Sequence, residues 1–270
     1  MSALHSQVFR GRQRVEAPDP ADRGLAYGDG LFETMRVAEG RLPWWPRHAA
    51  RLARGAAVLG IAMPDAAWLE ARLADLLAQA PPQAVLKLVL TRGVGGRGYA
   101  PPTDPVPSLL LSLHKMPSPS PPLRLRWCRT RLSLQPALAG IKHLNRLDQV
   151  LARGEWQDPA IHEGLMLDAQ GQLACATSAN VFALVDGRWL TPSLARGGVA
   201  GLARDWLLAN TPAATVADMP PSLLESAQAL FLCNAVRGIL PVGQLDALHW
   251  PTHPAVEGLR RALDRELSAA

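Results

Sequence analysis

The sequence predicts a mixed α/β (α+β) protein built from two domains. Short apolar stretches of strand length are mixed with amphipathic helical stretches in both halves of the chain, a pattern typical of folds that combine sheets with helices. A segment rich in proline and serine, residues 114–122, separates the halves and cannot continue a helix or a central strand. We therefore expect a smaller N-terminal domain over residues 1–113 and a larger C-terminal domain over residues 123–270.

The N-terminal domain is expected to contain two helices and at least three strands. The helical stretches carry apolar residues at spacings of three and four, whereas the strand stretches are short and apolar. The predicted helices cover residues 46–61 and 65–80, and the predicted strands cover residues 31–37, 84–91 and 107–114.

The C-terminal domain shows the same mixture of elements. Alternating apolar and basic residues open it as a predicted strand, and an Asp-Gly-Arg sequence between two apolar stretches predicts a hairpin turn at residues 186–188. The predicted strands cover residues 123–129, 164–168, 180–191 (with the turn inside it) and 229–234, and the predicted helices cover residues 144–156, 201–210 and 253–270.

The composition excludes several classes of protein. Hydrophobic residues make up 48% and charged residues 19% of the 270 positions, which is typical of a globular chain. No apolar run is long enough for a transmembrane helix, and the N-terminus lacks the apolar core of a signal peptide, so we expect a cytoplasmic protein with no membrane partner. Cys128, Cys175 and Cys233 are too widely spaced for a disulfide framework or a zinc site, so no metal is expected.

The basic residues are unusual in kind rather than in number. The chain has 28 Lys and Arg against 23 Asp and Glu, a formal net charge of +5, yet only Lys87, Lys115 and Lys142 are lysines. The arginines are scattered, without a dense basic block, so the surplus is compositional and no nucleic-acid partner is expected. If the chemistry needs a side-chain amine, one of these three lysines must supply it.

Lys142 has the most suitable setting of the three. It follows a Gly-Ile step and immediately precedes an amphipathic helical stretch, so the backbone can hold it in place. Lys87 lies within a predicted strand, where one face can point to solvent. Lys115 adjoins the proline-rich segment, where a solvated lysine is expected.

Four glycine-rich segments could bring the backbone close to a ligand. The segment at residues 91–102 follows an apolar strand and contains Arg97 and Tyr99, which could bind carboxylates, although a solvated loop is the alternative. The segment at residues 196–208 opens a helix, which makes it a natural seat for a phosphate group. The other two cover residues 23–37 and 230–242. None matches the Walker pattern or the dinucleotide-binding fingerprint.

Seven segments together resemble the fold-type IV enzymes that use pyridoxal phosphate, and among them the 4-amino-4-deoxychorismate lyases. The resemblance covers nearly the whole chain in the same order. Its most specific parts are "RGVGGRGY" and "IKHLNRL", because aminotransferases of this fold usually differ there. The segments are "YGDGLFETMR", "HAARL", "TRGVGGRGY", "GIKHLNRLDQV", "TSANVF", "GVAGLAR" and "LCNAVRGILPV".

The resemblance implies that the protein binds pyridoxal 5'-phosphate through a defined set of residues. Lys142 matches the lysine that attaches this cofactor covalently and later moves protons at the substrate carbon. Such a lysine must be deprotonated to react, and partial burial favours the neutral amine. The other implied cofactor contacts are Arg51, Val199, Ala200, Asn234 and Ala235 for the phosphate and Asn145 for the phenolic oxygen.

The resemblance also implies a reaction, in which pyruvate is eliminated from aminodeoxychorismate to give 4-aminobenzoate for folate biosynthesis. Thr34 occupies the position of a threonine that assists the lyase, where related aminotransferases tend to have glycine. Arg97 and Tyr99 are the candidates for binding the substrate carboxylates. The expected assembly is a homodimer, and the expected C-terminal domain contains a barrel-like sheet.

One position departs from the family pattern. Cys175 stands where the family usually has the glutamate that pairs with the pyridine nitrogen of the cofactor. A carboxylate keeps that nitrogen protonated, whereas a neutral thiol does not, so we expect Cys175 to be compatible with elimination and to oppose aminotransfer. The alternative is a buried structural cysteine and a shifted alignment.

Two other functions are open on the sequence. The first is a fold-type IV aminotransferase that acts on D-amino or branched-chain amino acids. The second is a non-catalytic protein that binds anions or nucleic acid. Turnover of an amino acid with a 2-oxo acid identifies the first, and a lack of cofactor absorbance identifies the second.

Overall fold

The computed structural model describes residues 3–268 and divides into two compact units. The first unit runs to Pro117 and also contains Ile141–Asn145, and the second contains Ser118–Gly140 and the chain from Arg146 onward. The segment with Lys142 therefore belongs to the first unit, whereas the division expected from the sequence puts it in the C-terminal domain. The reason is that Ile141–Asn145 hydrogen-bonds, through its backbone, to a strand of the first unit.

The first unit contains an antiparallel five-stranded sheet and three helices. Its elements are β1 (His5–Arg10), β2 (Gln13–Val15), α1 (Arg23–Tyr27), β3 (Gly30–Ala38), α2 (Trp45–Leu59), α3 (Ala66–Leu77), β4 (Gln83–Thr91) and β5 (Ser108–Lys115). The strand order is β2-β1-β5-β4-β3, which places β3 at one edge of this sheet. The alternation of buried and half-buried residues along β3 and β4 gives the sheet one apolar face and one more polar face.

Helix α2 packs its apolar face on strand β3. It has a proline in its first turn and ends at Gly60, whose left-handed backbone (φ 63°) favours glycine. Gly55 allows the close approach, because a Cβ there would come within 2.9 Å of a methyl carbon of Leu31. This packing sets the position of His48 and Arg51, which are buried on the same face of α2.

The second unit contains a nine-stranded mixed sheet that curls into a half-barrel. Its elements are β6 (Leu123–Trp127), a 3-10 turn (Pro136–Leu138), α4 (Leu147–Arg153), β7 (Glu163–Leu167), β8 (Leu173–Ala176), β9 (Asn180–Val185), β10 (Arg188–Pro192), α5 (Leu202–Asn210), β11 (Thr215–Ala217), a second 3-10 turn (Pro221–Ser226), β12 (Ala229–Asn234), β13 (Gly238–Leu245), β14 (Leu248–His249) and α6 (Pro254–Ser268). The strand order is β11-β10-β9-β12-β13-β6-β7-β8, with β14 beside β13. The predicted mixed class and barrel-like sheet are thereby confirmed.

Local differences from the predicted elements have physical causes. Helix α4 begins only at Leu147, rather than at residue 144, because the residues before it are extended and paired with β3. Strand β13 was not expected, because Pro241 and Gly243 interrupt its strand propensity. The predicted hairpin turn is confirmed: Asp186 (φ 49°) and Gly187 (φ 71°) adopt left-handed backbone between β9 and β10.

Two further features concern the helices and the cysteines. Across residues 3–268, no helix combines the length and the apolar character needed to cross a membrane. The cysteines Cys128, Cys175 and Cys233 are all buried free thiols.

Candidate active site

Backbone hydrogen bonds hold Lys142 against the beginning of β3. The amide of Phe32 donates to the carbonyl of Lys142 at 3.0 Å, and the amide of Leu144 donates to the carbonyl of Gly30 at 2.9 Å. The half-buried amine Nζ of Lys142 lies 4.2 Å from the centroid of the Phe32 ring. The backbone restraint expected for Lys142 from the sequence is therefore present, although it comes from a strand rather than from the following helix.

The half-buried face of β3 carries further polar groups close to Lys142. Phe32 and Thr34 are two residues apart on β3 and so point to the same face. Thr34 pairs with Lys87 on β4, and the Nζ of Lys87 lies 5.6 Å from the same Phe32 ring centroid. Two of the three lysines of the chain therefore approach one aromatic ring, and Thr34 is the strand partner of one of them.

Sequence reasoning did not assign a role to Lys87. The signal was present, because Lys87 is the one charged residue in the apolar stretch 84–91, and a pairing of β4 with the strand that carries Thr34 puts this lysine opposite the threonine. Only the register of the two strands identifies which residue faces Thr34. Within the described residues, no carboxylate lies at salt-bridge distance from Lys87.

On the opposite face of β3, Glu33 forms a buried ion cluster with two residues of α2. Arg51 donates from Nε to Glu33 Oε1 at 2.8 Å and from Nη2 to Oε2 at 2.5 Å. The Nδ1 of His48 lies 2.6 Å from Glu33 Oε2. This bidentate pairing fixes the orientation of the Arg51 guanidinium. His48 was not foreseen, although its spacing of three from Arg51 places both on one helix face.

The charges of this cluster set its protonation states. Burial raises the pKa of Glu33, but hydrogen bonds from Arg51 and His48 outweigh burial and lower its pKa from 4.5 to about 2. Burial lowers the pKa of His48, and the positive charges of Arg51 and Lys142 lower it further, against the opposing effect of Glu33. At neutral pH the cluster is therefore an ionised Glu33 and Arg51 beside a neutral His48, with the amine of Lys142 close enough to influence it.

The side chain of Asn145 lies at the end of the segment that pairs with β3. Its Nδ2 donates to the carbonyl of Gly28 at 3.4 Å. Gly28 has left-handed backbone (φ 66°), and a Cβ there would come within 2.6 Å of Asn145 Oδ1. The glycine-rich turn before β3 therefore makes room for Asn145, and the contact of Asn145 with a cofactor stays a prediction.

Arg97 and Tyr99 lie on the exposed loop between β4 and β5. The Tyr99 side chain is 84% exposed, and its ring contacts that of Tyr27 edge-on, with 5.4 Å between the centroids. Both candidates for substrate carboxylates are thus accessible on the first unit, as a binding role requires.

In the second unit, the turn before α5 has the features of a phosphate seat. The amide of Gly140 donates to the carbonyl of Gly198, and the amide of Ala200 donates to the carbonyl of Gly140 at 2.9 Å. In the part of the chain that the structure describes, the amide of Val199 donates to no acceptor. Gly201 caps α5 without a side chain, and a Cβ there would come within 1.9 Å of Asn180 Oδ1. A side chain at this position would therefore displace the side chain of Asn180, whose Nδ2 donates to the carbonyl of Val199 at 3.1 Å.

Asn234 and Ala235 form a second turn in this unit, directly after β12. The side-chain oxygen of Asn234 accepts from the amides of Val236 at 3.1 Å and Arg237 at 2.8 Å. Asn234 therefore shapes the turn with its side chain. Its Nδ2 donates to the carbonyl of Ser178 at 3.5 Å, and the contact of Asn234 and Ala235 with a phosphate group stays a prediction.

Cys175 lies in the middle of β8, opposite Met166 on β7, and is buried. Burial raises the pKa of its thiol to about 12, against the opposing positive charge of Arg146. The thiol is therefore neutral at physiological pH. Both the structural and the cofactor interpretation of Cys175 must therefore start from a protonated thiol. The neighbours of Cys175 in a small buried apolar cluster include Cys128 and Trp156.

Comparison with known proteins agrees with this architecture. The chain is 33% identical over 242 residues to the aminodeoxychorismate lyase of Vibrio harveyi, a match that covers 84% of this chain and 86% of that protein. It is 29% identical over 238 residues to the putative branched-chain-amino-acid aminotransferase of Methanocaldococcus jannaschii, a match that covers 83% of this chain and 81% of that protein.

A solved structure resembles the whole fold. The 4-amino-4-deoxychorismate lyase of Pseudomonas aeruginosa superposes with a TM-score of 0.90 at 40% identity, which covers 98% of this chain and 100% of that one. The family model for amino-transferase class IV matches residues 30–245, a range that contains Lys142, Glu33 and Arg51. The chain therefore belongs to the amino-transferase class IV family.

Proposed function

We propose that this protein is a pyridoxal-phosphate-dependent lyase that eliminates pyruvate from aminodeoxychorismate and releases 4-aminobenzoate. The observation that carries the proposal is the placement of Lys142, whose backbone is hydrogen-bonded to β3 while its amine shares the Phe32 ring with Lys87, next to Thr34. The similarity to the Vibrio harveyi and Pseudomonas aeruginosa lyases supports the same reaction. The product would serve folate biosynthesis.

The residues present fit the cofactor. A phosphate group needs donors from the backbone at a helix N-terminus, and the turn before α5 supplies the amide of Val199 there. When bound, pyridoxal phosphate supplies an electron sink for the carbon that carries the substrate amine. The residues that would hold it are Lys142, Arg51, Asn145, Cys175, Val199, Ala200, Asn234 and Ala235.

Within this proposal, Lys142 would hold the cofactor covalently until the substrate amine displaces it, and its freed amine would then take the proton from the amine-bearing carbon of the substrate. Its backbone restraint keeps the amine in one place for that transfer. The hydroxyl of Thr34 lies on the same face of β3 and can hold a proton at the group that departs. Glu33 acts indirectly, because it orients the guanidinium of Arg51 toward its phosphate role.

The substrate carries two carboxylates, and three side chains of the first unit, two cationic and one phenolic, could bind them. Lys87 is half-buried on the face that carries Thr34, and Arg97 and Tyr99 are exposed on the loop after β4. Arginine binds a carboxylate with two parallel hydrogen bonds, and tyrosine donates one. We assign the two carboxylates to this set of three side chains.

Cys175 bears on the choice between elimination and aminotransfer. Its neutral thiol cannot stabilise a protonated pyridine nitrogen as a carboxylate does, which weakens the electron sink. Elimination is driven by aromatisation of the substrate ring, so it needs less electron withdrawal by the cofactor than aminotransfer does. A Cys175→Glu variant should therefore raise the rate of aminotransfer relative to 4-aminobenzoate release, and an unchanged ratio would sink this role for Cys175.

The reaction is tested by incubating the purified protein, loaded with pyridoxal phosphate, with aminodeoxychorismate. We expect equimolar 4-aminobenzoate, measured by its fluorescence after chromatography, and pyruvate, measured with lactate dehydrogenase. Lys142→Ala should abolish both products, whereas Lys115→Ala, at the exposed end of β5, should retain them. Wild-type protein that forms neither product would refute the lyase assignment.

Two alternatives have distinct outcomes in the same preparation. An aminotransferase, favoured by the similarity to the Methanocaldococcus jannaschii protein, would turn over D-alanine or a branched-chain amino acid with a 2-oxo acid. A non-catalytic protein would show no near-ultraviolet or visible absorbance with pyridoxal phosphate, and borohydride would label no lysine. Efficient amino-acid turnover, or the lack of a labelled Lys142, would replace the lyase proposal.

We also propose a homodimer. Leu147, Val150 and Leu151 occupy one face of α4 at helical spacing and are all exposed in the single chain, which is the pattern of a helix that packs against a partner. A Leu151→Glu variant should shift the mass measured by light scattering from dimer to monomer. A cytoplasmic location belongs to the same proposal and is supported by the three free thiols.

A further inference from the structure

The loop between β4 and β5 is held at its exposed tip (residues 97–100) by a single buried side chain. Arg23, in α1, has a side chain that is only 5% exposed. Its Nη1 donates to the carbonyls of Gly98 at 3.1 Å and Ala100 at 3.3 Å, and its Nη2 donates to the carbonyl of Tyr99 at 2.8 Å. One guanidinium thus binds three consecutive backbone carbonyls of the loop tip.

Arg23 is itself fixed by the carboxylate of Asp29, which directly precedes β3. Its Nε donates to Asp29 Oδ2 at 2.9 Å. Arg92 also binds Asp29, with its Nε at 2.7 Å and its Nη2 at 3.1 Å, and donates to the carbonyl of Gly60 at the end of α2. Burial raises the pKa of Asp29, but its bonds to Arg92 and Arg23 outweigh burial and lower it, so the carboxylate is ionised.

The base and the tip of the loop are held differently. At the base, the amide of Arg23 donates to the carbonyl of Gly93 at 2.9 Å, and the amide of Gly95 donates to the carbonyl of Ala21 at 3.3 Å. At the tip, among the described residues 3–268, Arg23 forms the only hydrogen bonds to the backbone of residues 97–100. A Cβ at Gly95 would come within 2.6 Å of Arg23 Cδ, so this glycine leaves room for the arginine.

We propose that Arg23 is a positioning residue that orders the loop tip before substrate binds, so that Arg97 and Tyr99 are presented in one arrangement. The idea rests on the proposed function in that it takes these two side chains as carboxylate ligands. Tyr27 contributes to the same order, because the Arg23 guanidinium lies 5.0 Å from its ring centroid and its ring contacts Tyr99. A loop that is ordered in advance binds more tightly than one that must be ordered by its ligand.

The order of the loop tip can be measured without any substrate. Trypsin cleaves after Arg97 only when the tip leaves its fold, so the cleavage rate after Arg97 reports the anchoring by Arg23. An Arg23→Gln variant should raise that rate by about tenfold, while cleavage after Arg129, whose side chain is 83% exposed in the second unit, should be unchanged. Equal cleavage after Arg97 in the variant and the wild type would overturn the proposal.

A second variant covers the case in which Arg23→Gln fails to fold. Gly95→Ala places a methyl group against Arg23 Cδ and should displace the guanidinium from the tip, with the same rise in cleavage after Arg97. Arg23→Lys retains a positive charge for Asp29 but cannot reach three carbonyls from one planar group, so it should behave as Arg23→Gln does. If either variant keeps wild-type cleavage, the anchoring role fails.

Kinetics then connect the anchor to substrate recognition. Arg23→Gln should raise KM for aminodeoxychorismate by about tenfold and leave kcat within about twofold, and added guanidinium ion should restore part of the KM. Arg12→Gln, an exposed arginine in the first unit, is the matched control and should leave both constants unchanged. If the wild type releases no 4-aminobenzoate, the proposed function fails while the proteolysis result stands. If the wild type is active and Arg23→Gln leaves KM unchanged, the positioning role fails.

Discussion

Replacing Glu33 by glutamine tests whether the buried ion cluster stabilises the protein and orients Arg51 for its proposed role in binding phosphate. Glu33→Gln keeps the size of the side chain but removes the negative charge that Arg51 and His48 share. The pKa of Glu33 falls from 4.5 to about 2 in the folded protein, and at about 1.4 kcal/mol per pKa unit this corresponds to about 3 kcal/mol of stability at neutral pH. Breaking a buried ion pair by removing one partner costs a similar amount, roughly 3–5 kcal/mol.

The assay is unfolding of the cofactor-free protein, followed by circular dichroism at pH 7.5. A loss of about 3 kcal/mol should lower Tm by roughly 6–12 °C for a chain of this size. Glu70→Gln, at an exposed position of α3 that bonds only to the Trp45 ring nitrogen among the described residues, is the control and should change Tm by less than about 2 °C. Binding of inorganic phosphate should weaken in Glu33→Gln, because the guanidinium of Arg51 is no longer oriented.

The pH dependence gives an independent check with a definite sign. Because the folded pKa of Glu33 lies below 4.5, its stabilisation is complete above pH 4.5 and is lost as the pH falls toward about 2. The pKa of His48 is also lowered, so the unfolded chain takes up that proton first and stability already declines as the pH falls below 6.5. The gap between wild type and Glu33→Gln should narrow only below pH 4.5, where the wild type loses the stabilisation that ionised Glu33 provides.

One result would refute this reasoning. If Glu33→Gln unfolds within about 0.5 kcal/mol of the wild type at pH 7.5 and shows the same decline below pH 4.5, the ion cluster adds no net stability. The cost of burying Glu33 and Arg51 would then equal the gain from pairing them. Unchanged phosphate binding would in addition remove the orienting role of Glu33.

Three further predictions concern the other groups. Gly201→Ala should weaken pyridoxal-phosphate binding by more than about tenfold in a spectroscopic titration, because its Cβ would collide with an oxygen of the Asn180 side chain. The control is Gly258→Ala in α6, which has open space around it and should bind the cofactor as the wild type does. The thiol of Cys175 should not react with a disulfide reagent at pH 8 until the protein unfolds, since burial raises its pKa to about 12; fast labelling of Cys175 in the folded protein would contradict its burial. Lys87→Ala should raise KM for aminodeoxychorismate by about tenfold with little change in kcat, and an unchanged KM would exclude Lys87 from carboxylate binding.

Local sequence patterns were sufficient for the elements whose burial is set by their own periodicity. Helices α2 and α3 and strands β4 and β5 lie where the spacing of apolar residues places them, within a few residues at each end. The Asp-Gly turn between β9 and β10 follows from the backbone preferences of two residues. The count of three lysines, together with the setting of Lys142, was likewise enough to select the candidate for covalent chemistry.

The arrangement of charges around Lys142 depended on contacts between distant parts of the chain. Periodicity shows which face of a strand is buried, but it carries no information about what lies opposite. The pairing of Glu33 with Arg51 required α2 to pack on β3, and the pairing of Thr34 with Lys87 required the register of β3 and β4. The helix predicted to begin at residue 144 begins later, at Leu147, because the backbone before it forms hydrogen bonds to β3 instead of helical ones.

The sequence by itself thus determined the mixed fold class, most of the long elements, the family resemblance and the choice of Lys142. The tertiary structure decided which charges surround that lysine and how the loop between β4 and β5 is held, since Arg23 and the carbonyl of Gly98 are 75 positions apart in the chain. The physical reason is that a buried charged side chain is stable only beside an oppositely charged or hydrogen-bonding group. Which group lies beside it depends on how the whole unit packs.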